Sequence, residues 1–251
     1  MTNIILRGCN GKMGQVITEI VEADENAVII AGIDISSNRN NKYPVYQNFN
    51  QCNVRADVII DFSAPVNLEE MLEFAIDRQI GIVLCTTGFN KEQLTLIEKA
   101  SQQIPFLRSA NMSVGINLIS KLVQEAATIL ADAGFDIEIV ERHHNKKVDA
   151  PSGTALALAD AINEVLNNEY QYKYDRSADR VPRSKKEIGI SAVRGGSIVG
   201  EHEIIFAGTD EVIEIKHTAY SKAIFAKGAV QAAKFLPGKA AGMYKMSDLM
   251  D

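Results

Sequence analysis

Five short apolar runs dominate the first part of the chain: "NIILRG" from Asn3, "AVIIAGID" from Ala27, "ADVIIDFS" from Ala56, "GIVLCTTG" from Gly81 and "IPFLRSA" from Ile104. They are continuous rather than alternating, so each strand must be buried on both faces, as parallel strands covered by helices are. Amphipathic segments lie between them. From Lys12 to Ala23, Met13, Val16, Ile17, Ile20 and Val21 fall on one side of a helix, and Val66 to Gln79 and Lys91 to Gln103 have the same character. Strand and helix in alternation predict an α/β domain with a doubly wound parallel sheet, Rossmann-like in plan.

Beyond "SANMSVGINLIS" the pattern changes. A long helix is expected from Val114 to Ala133, ending at Gly134, then a strand over "DIEIVERHH" and a helix from Pro151 to Leu166. "IGISAVRGG", "SIVGEHEIIFAG" and "DEVIEIKHTAY" read as strands joined by Gly-rich or Gly-Thr-Asp turns, which predicts an antiparallel sheet. The polar stretch from Asn167 to Lys186 has no apolar period and reads as a long loop. A last helix from Lys222 to Leu236 suits a return to the first domain. The expected division is therefore a doubly wound α/β domain of residues 1–112 and 221–251, and a smaller α+β domain of residues 113–220.

The 251 residues are 46% hydrophobic and carry a formal charge of −6. That balance argues against a general nucleic-acid binder, whose affinity comes largely from basic contacts to phosphate. Cys9, Cys52 and Cys85 are an odd number without a CxxC pair, as expected of reduced thiols. No basic, hydrophobic leader opens the sequence and no apolar stretch is long enough to span a bilayer, so a soluble, cytoplasmic protein is the expectation.

"GCNGKMG" sets Gly8, Gly11 and Gly14 between the first strand and the first helix, and Asp34 closes the next strand twenty residues beyond Gly14. A turn without side chains lets backbone N–H groups and a helix N-terminus approach a pyrophosphate, while the acid suits ribose hydroxyls. The same glycines would also serve a tight turn that binds nothing. "DFS" at Asp61 to Ser63 and "TTG" at Thr86 to Gly88 fall at C-terminal strand ends, where open α/β sheets bind ligands. Thr86 and Thr87 suit ordinary turn positions equally well.

"ERHHNKKVDAPSGTA", Glu141 to Ala155, is the most crowded stretch. Adjacent strand residues point to opposite faces, so His143 and His144 are poorly placed to chelate one ion, and no metal is expected. Pro151 suits a first helical turn, Ser152 can cap, and Gly153 and Thr154 offer N–H groups at the positive helix end. With Arg142, Lys146 and Lys147 close in sequence, this predicts an anion pocket beside a histidine able to donate a proton near neutrality. A plain helix cap next to an exposed basic turn is the competing reading.

This stretch resembles the signature of the 4-hydroxy-tetrahydrodipicolinate reductase (dihydrodipicolinate reductase) family of the diaminopimelate and lysine pathway. "GCNGKMG", "VIIDFSAP", "CTTGF", "SANMSVG" and "AVRGGSIVGEHEIIF" follow the family's order over nearly the whole chain. The resemblance implies reduction of a conjugated cyclic imine, formed by loss of water, with NADH or NADPH. It implies that His143 is the general acid and Lys147, rather than Lys146, a catalytic lysine. His144 and Ser152, Gly153 and Thr154 would contact substrate. Cofactor contacts would fall on Gly8, Cys9, Asn10, Gly11, Lys12, Met13, Asp34, Cys85, Thr86, Thr87, Ser109, Ala110, Asn111 and Met112. A homotetramer assembled through the second domain is implied too. Where some members carry an arginine after the acid, Ile35 follows Asp34 here, which predicts NADH favoured or equal. Another Rossmann-type oxidoreductase and a silent dinucleotide sensor are the rival readings; the second predicts an incomplete signature.

Overall fold

The computed structural model describes residues 1–36, 39–109 and 111–250. In chain order the elements are β1 (Thr2–Arg7), α1 (Lys12–Glu22), β2 (Ala27–Ile33), β3 (Val45–Tyr46), β4 (Val58–Asp61), α2 (Leu68–Arg78), β5 (Gly81–Leu84), α3 (Lys91–Ser101) and β6 (Pro105–Arg108). There follow α4 (Val114–Leu130), β7 (Asp136–His143), α5 (Gly153–Val165), β8 (Gln171–Lys173), β9 (Glu187–Arg194), β10 (Gly200–Ala207) and β11 (Val212–Ala219). Helix α6 (Ala223–Phe235) and β12 (Gly242–Tyr244) complete the set. The chain forms two compact units, Met1–Ser113 with Ala223–Asp251, and Val114–Lys222.

The first unit is a seven-stranded parallel sheet in the order β12-β6-β5-β4-β1-β2-β3. Period-two alternation divides each strand between two cores. Ile4, Leu6, Val58 and Ile60 pack with Ile17 of α1 and Val230 of α6, whereas Ile5, Ile59 and Ile82 pack with Met71 of α2 and Ile97 of α3. Burial on both faces is why these strands read as unbroken apolar runs. The strand order reverses between β1 and β4, which opens a crevice beyond their C-terminal ends. The two-residue β3 and three-residue β12 at the sheet edges have no apolar run and went unread in the sequence.

The second unit is a five-stranded sheet, β11-β10-β7-β9-β8, whose core joins Ile137, Ile139, Ile188, Ile204 and Phe206 to Val123 of α4 and to Leu158 and Ile162 of α5. The expected antiparallel sheet holds for β10, which pairs antiparallel with β11 and β7, and is corrected at β9. β7 pairs antiparallel with β10 but parallel with β9, because the chain between β7 and β9 crosses over through α5, and parallel neighbours need such a crossover. The stretch read as a featureless loop contains β8, parallel to β9. It is also tied down by Arg183, which donates to the Glu187 carbonyl at 2.6 Å, and by an Arg176–Glu187 ion pair. Helix α4 ends at Leu130 instead of Ala133: the chain closes it off with Gly134, at φ +87°, donating to the Ala131 carbonyl and Phe135 to that of Leu130. No helix among the described residues is long and apolar enough to cross a membrane.

Candidate active site

In the first unit the glycine loop runs from β1 to α1. Gly8, at φ +81°, donates to the Ile33 carbonyl, and its own carbonyl accepts from Gly11 N–H. The three glycines have different reasons to be there. A Cβ on Gly8 would lie 2.4 Å from the Phe62 carbonyl oxygen, and one on Gly14 2.2 Å from the Gly8 carbonyl oxygen. Both are excluded by backbone, so the turn itself demands them. Gly11 would meet only the Gly8 carbonyl, at 3.3 Å. It is the N-cap of α1, with no side-chain cap over the free N–H groups of the first turn, which leaves the positive helix end open.

Asp34 follows β2 with both carboxylate oxygens aimed: Oδ2 accepts from Asn10 N–H and Oδ1 from Ser36 N–H, each at 2.9 Å. Gly8, Gly11, Asp34, Phe49 and Phe62 line a cavity of about 310 Å³. Among the described residues, the one cation on its wall is Arg7, which is bound to buried Asp61 at 3.2 Å. Thr86 accepts from Ser63 N–H at 3.0 Å, clamping the loops after β4 and β5 together.

Other residues of the expected cofactor set offer less. Cys9 is fully buried, its sulfur against the Gly32 backbone; burial, then the charge of Asp34, pushes its thiol up to about 12. Only its backbone can serve a ligand. Met112 is likewise a core side chain. Lys12 and Thr87 are exposed, Met13, Cys85, Ser109 and Asn111 partly buried, and Ala110 lies outside the described residues.

In the second unit, β7 ends in Glu141-Arg142-His143. Alternation puts Glu141 and His143 on the inner face, 0% and 9% exposed, and sends Arg142 to the other face, where it pairs with Glu203 at 2.9 Å. The expected contribution of Arg142 to the anion pocket is therefore corrected. Past the strand end His144 diverges, half-buried. Nδ1 of His143 lies 2.7 Å from Glu141 Oε2. Arg194, at the end of β9, holds the same carboxylate with both terminal nitrogens at 2.7 Å, and Ser152 N–H donates to it at 2.9 Å. Burial would raise the Glu141 carboxyl, but these donors together keep it below the usual carboxylate range.

Helix α5 begins at Gly153, not Pro151, because Ser152 is extended and accepts from Ala155 N–H at 3.1 Å as the N-cap. Ser152 is 2% exposed, and its hydroxyl also meets His202 Nε2 at 2.9 Å. Every polar group of Ser152 thus has an internal partner. Burial, and then His143, push His202 down to about 4, so it is neutral near physiological pH. Lys147 Nζ pairs with Asp149 Oδ1 at 2.8 Å, while Lys146 is exposed. Lys147, and less strongly the Gly153 N–H, hold the Asp149 carboxyl below its ordinary range. The Gly153 N–H expected to be free therefore already faces a carboxylate. A Cβ on Gly153 would meet nothing within 4 Å.

Sequence reasoning singled out His143, Lys147 and the helix start, and these stand on one loop and its flanks. It missed Glu141, Arg194, His202 and Asp149 as members of the cluster. Glu141 was detectable, since a residue two before a strand histidine shares its face; Arg194 and His202 lie fifty or more residues on, inside the block "AVRGGSIVGEHEIIF", and nothing in that block alone says that they reach His143.

Comparison with known proteins bears on both units. Residues 2–112 match the family model described as "Dihydrodipicolinate reductase, N-terminus", and residues 115–250 that described as "Dihydrodipicolinate reductase, C-terminus". The chain is 49% identical over 251 residues to 4-hydroxy-tetrahydrodipicolinate reductase of Clostridium tetani, covering 100% of this chain and 98% of that one. Identity to the protein of that name from Caldanaerobacter subterraneus subsp. tengcongensis is 49% over 250 residues, with the same coverage. Among solved structures, dipicolinate-bound dihydrodipicolinate reductase from Paenisporosarcina sp. TG-14 superposes with a TM-score of 0.80 at 26% identity, covering 98% of this chain and 97% of that one. With both family models matched across almost its entire length, the chain belongs to the dihydrodipicolinate reductase family.

Proposed function

We propose that this chain is an NADH- or NADPH-dependent oxidoreductase that reduces the cyclic imine formed when 4-hydroxy-tetrahydrodipicolinate loses water, giving tetrahydrodipicolinate in diaminopimelate and lysine biosynthesis. The observation that carries the reading is the second unit's cluster: a buried histidine held by a carboxylate, beside a lysine and the start of a helix, in a family named for this step. The first unit, residues 1–112 and 221–251 in the sequence reading, is the cofactor domain. Its open helix end at Gly11 suits the pyrophosphate and Asp34 the ribose hydroxyls.

Bound there, NADH or NADPH supplies hydride. His143 gives a proton to the electron-rich enamine carbon that hydride addition leaves. Lys147 and the N–H groups of Gly153 and Thr154 hold the substrate carboxylates, with His144 alongside. Ser152, the buried N-cap of α5, sets the helix start and stays with Gly153 and Thr154 in the substrate-binding segment. Cofactor contact by Thr86, Thr87, Ser109 and Asn111 follows from their place at C-terminal strand ends. Exposed Val193 and Val212, on the face of the second unit's sheet away from its core, support a homotetramer assembled through that face. The protein works in the cytoplasm, without nucleic-acid partners. Stoichiometric oxidation of NADH on addition of the cyclic imine acid is the expected result; no oxidation with either nicotinamide cofactor refutes the reading.

A further inference from the structure

The reading of His143 as proton donor leaves open which ring nitrogen gives up the proton and what holds the ring. We infer that Glu141, clamped by Arg194, is the positioning residue of this reaction: it keeps a proton on Nδ1 of His143, so that Nε2 is the nitrogen that donates. The inference rests on the proposed function and deepens it.

Three observations carry it. The Nδ1 to Oε2 distance is 2.7 Å, and Glu141 is completely buried, so no water competes for that bond. The carboxylate cannot turn, because Arg194 binds both oxygens and Ser152 N–H adds a third donor from the start of α5. Nε2, by contrast, has no hydrogen-bond partner among the described residues. It lies over Gly200 of β10, where a Cβ would come within 3.1 Å of it. An ionised carboxylate accepts only, so in both charge states Nδ1 carries hydrogen facing Glu141. In the transfer, the N–H bond at Nε2 breaks with its electron pair staying on nitrogen. A C–H bond forms from the enamine electrons, and a neutral ring protonated on Nδ1 remains.

The charged and titrating groups around the ring come from five places. They are Glu141 on β7 itself, Arg194 on β9, His202 edge-on at 5.2 Å from β10 with His217 paired to it on β11, and Lys147 and Asp149 in the loop after β7. Glu141 sets a negative charge against Nδ1 and Arg194 a positive charge behind it, so the two face the ring with opposite signs. Removing each charge should therefore move the ring's titration in opposite directions, which loss of structure alone would not do.

The test uses the full-length enzyme with NADH and the cyclic imine acid. His143→Gln should lower kcat by roughly 100- to 10,000-fold with NADH binding unchanged. Glu141→Gln should lose kcat by no more than that, and the double variant should be no worse than His143→Gln alone. In the kcat profile, the alkaline limb should move to lower pH by about one unit or more in Glu141→Gln and to higher pH in Arg194→Gln. In case a variant fails to fold, nitrogen-15 NMR of histidine in the wild-type protein reads the tautomer directly, and neutral His143 should be the Nδ1–H form. Limbs that stay put or move together, or an Nε2–H tautomer, overturn the inference. Wild-type turnover in His143→Gln overturns instead the assignment of the acid on which it rests.

Discussion

Each unit carries a helix start that the proposed function turns toward an anion, but the two are built in opposite ways. At α1 the approach is made by absence: Gly8 and Gly14 are dictated by backbone a little over 2 Å from any added Cβ, and the cavity wall carries no free cation among the described residues. At α5 it is made by side chains. Glu141, Arg194, His202 and Ser152 lock one another around the helix start, and Gly153 stands in open space. The contrast shows that a conspicuous glycine is not by itself a ligand contact. Gly8 and Gly14 answer to the fold, whereas nothing in the packing asks for Gly153, and little for Gly11.

Substitution can break this contrast, most severely at Gly14. Gly14→Ala forces a methyl into the carbonyls of Gly8 and Cys9 and should cost at least about 3 kcal/mol of stability, read by denaturant unfolding. A change under 1 kcal/mol would mean that the loop yields and that its glycines are not steric in origin. Next comes the lysine pair. Lys147→Met should cost about 2 to 4 kcal/mol of transition-state stabilisation, roughly 30- to 1,000-fold in kcat/KM, and Lys146→Met almost nothing. Equal losses from the two would place the charge requirement in the loop as a whole.

Gly153→Ala sharpens the contrast from the other side. In a helix with free space around it, alanine should leave stability unchanged or add up to about 1 kcal/mol, while KM for the imine acid rises about tenfold. A more stable variant with an unaltered KM would show that this helix end does not meet substrate. The smallest effect concerns the cofactor. With Asp34 pinned by two N–H groups, Ile35 exposed beside it and Lys42 paired with Glu22 at 2.9 Å, kcat/KM with NADPH should exceed that with NADH by less than about tenfold, or 1.4 kcal/mol. A larger preference would point to a cation from the loop after Asp34 reaching the 2′-phosphate.

What could be read in advance follows from the range of the interactions. The parallel sheet was legible because burial on two faces writes itself into each strand, as in Ile4, Ile5 and Leu6, and the cap of α5 because Ser152 and Ala155 are three residues apart. β8 was not, since a three-residue edge strand needs no apolar run, nor was the parallel pairing of β9, which depends on where a crossover ends. Arg142 was misjudged for a related reason. Nearness in sequence suggested shared charge, but the pleat sends neighbours to opposite faces. The partners that define the His143 site arrive from β9 and β10, and no local pattern announces them.

The first unit is interrupted by the whole of the second, and this has a consequence for how the protein is made. Helix α6 covers the face of the central strands lined by Ile4, Leu6 and Val58, yet it lies beyond residue 222. On the ribosome the cofactor unit, first to emerge, is therefore last to close, while the inserted unit can collapse as soon as its own continuous stretch is out. Until α6 arrives, that side of the nascent sheet has only α1 over it, and the rest is exposed apolar surface. Nascent chains stalled before Ala223 should show a protease-resistant second unit alongside an open first unit that chaperones recognise, and the hazard of aggregation in synthesis belongs to the end that was translated first.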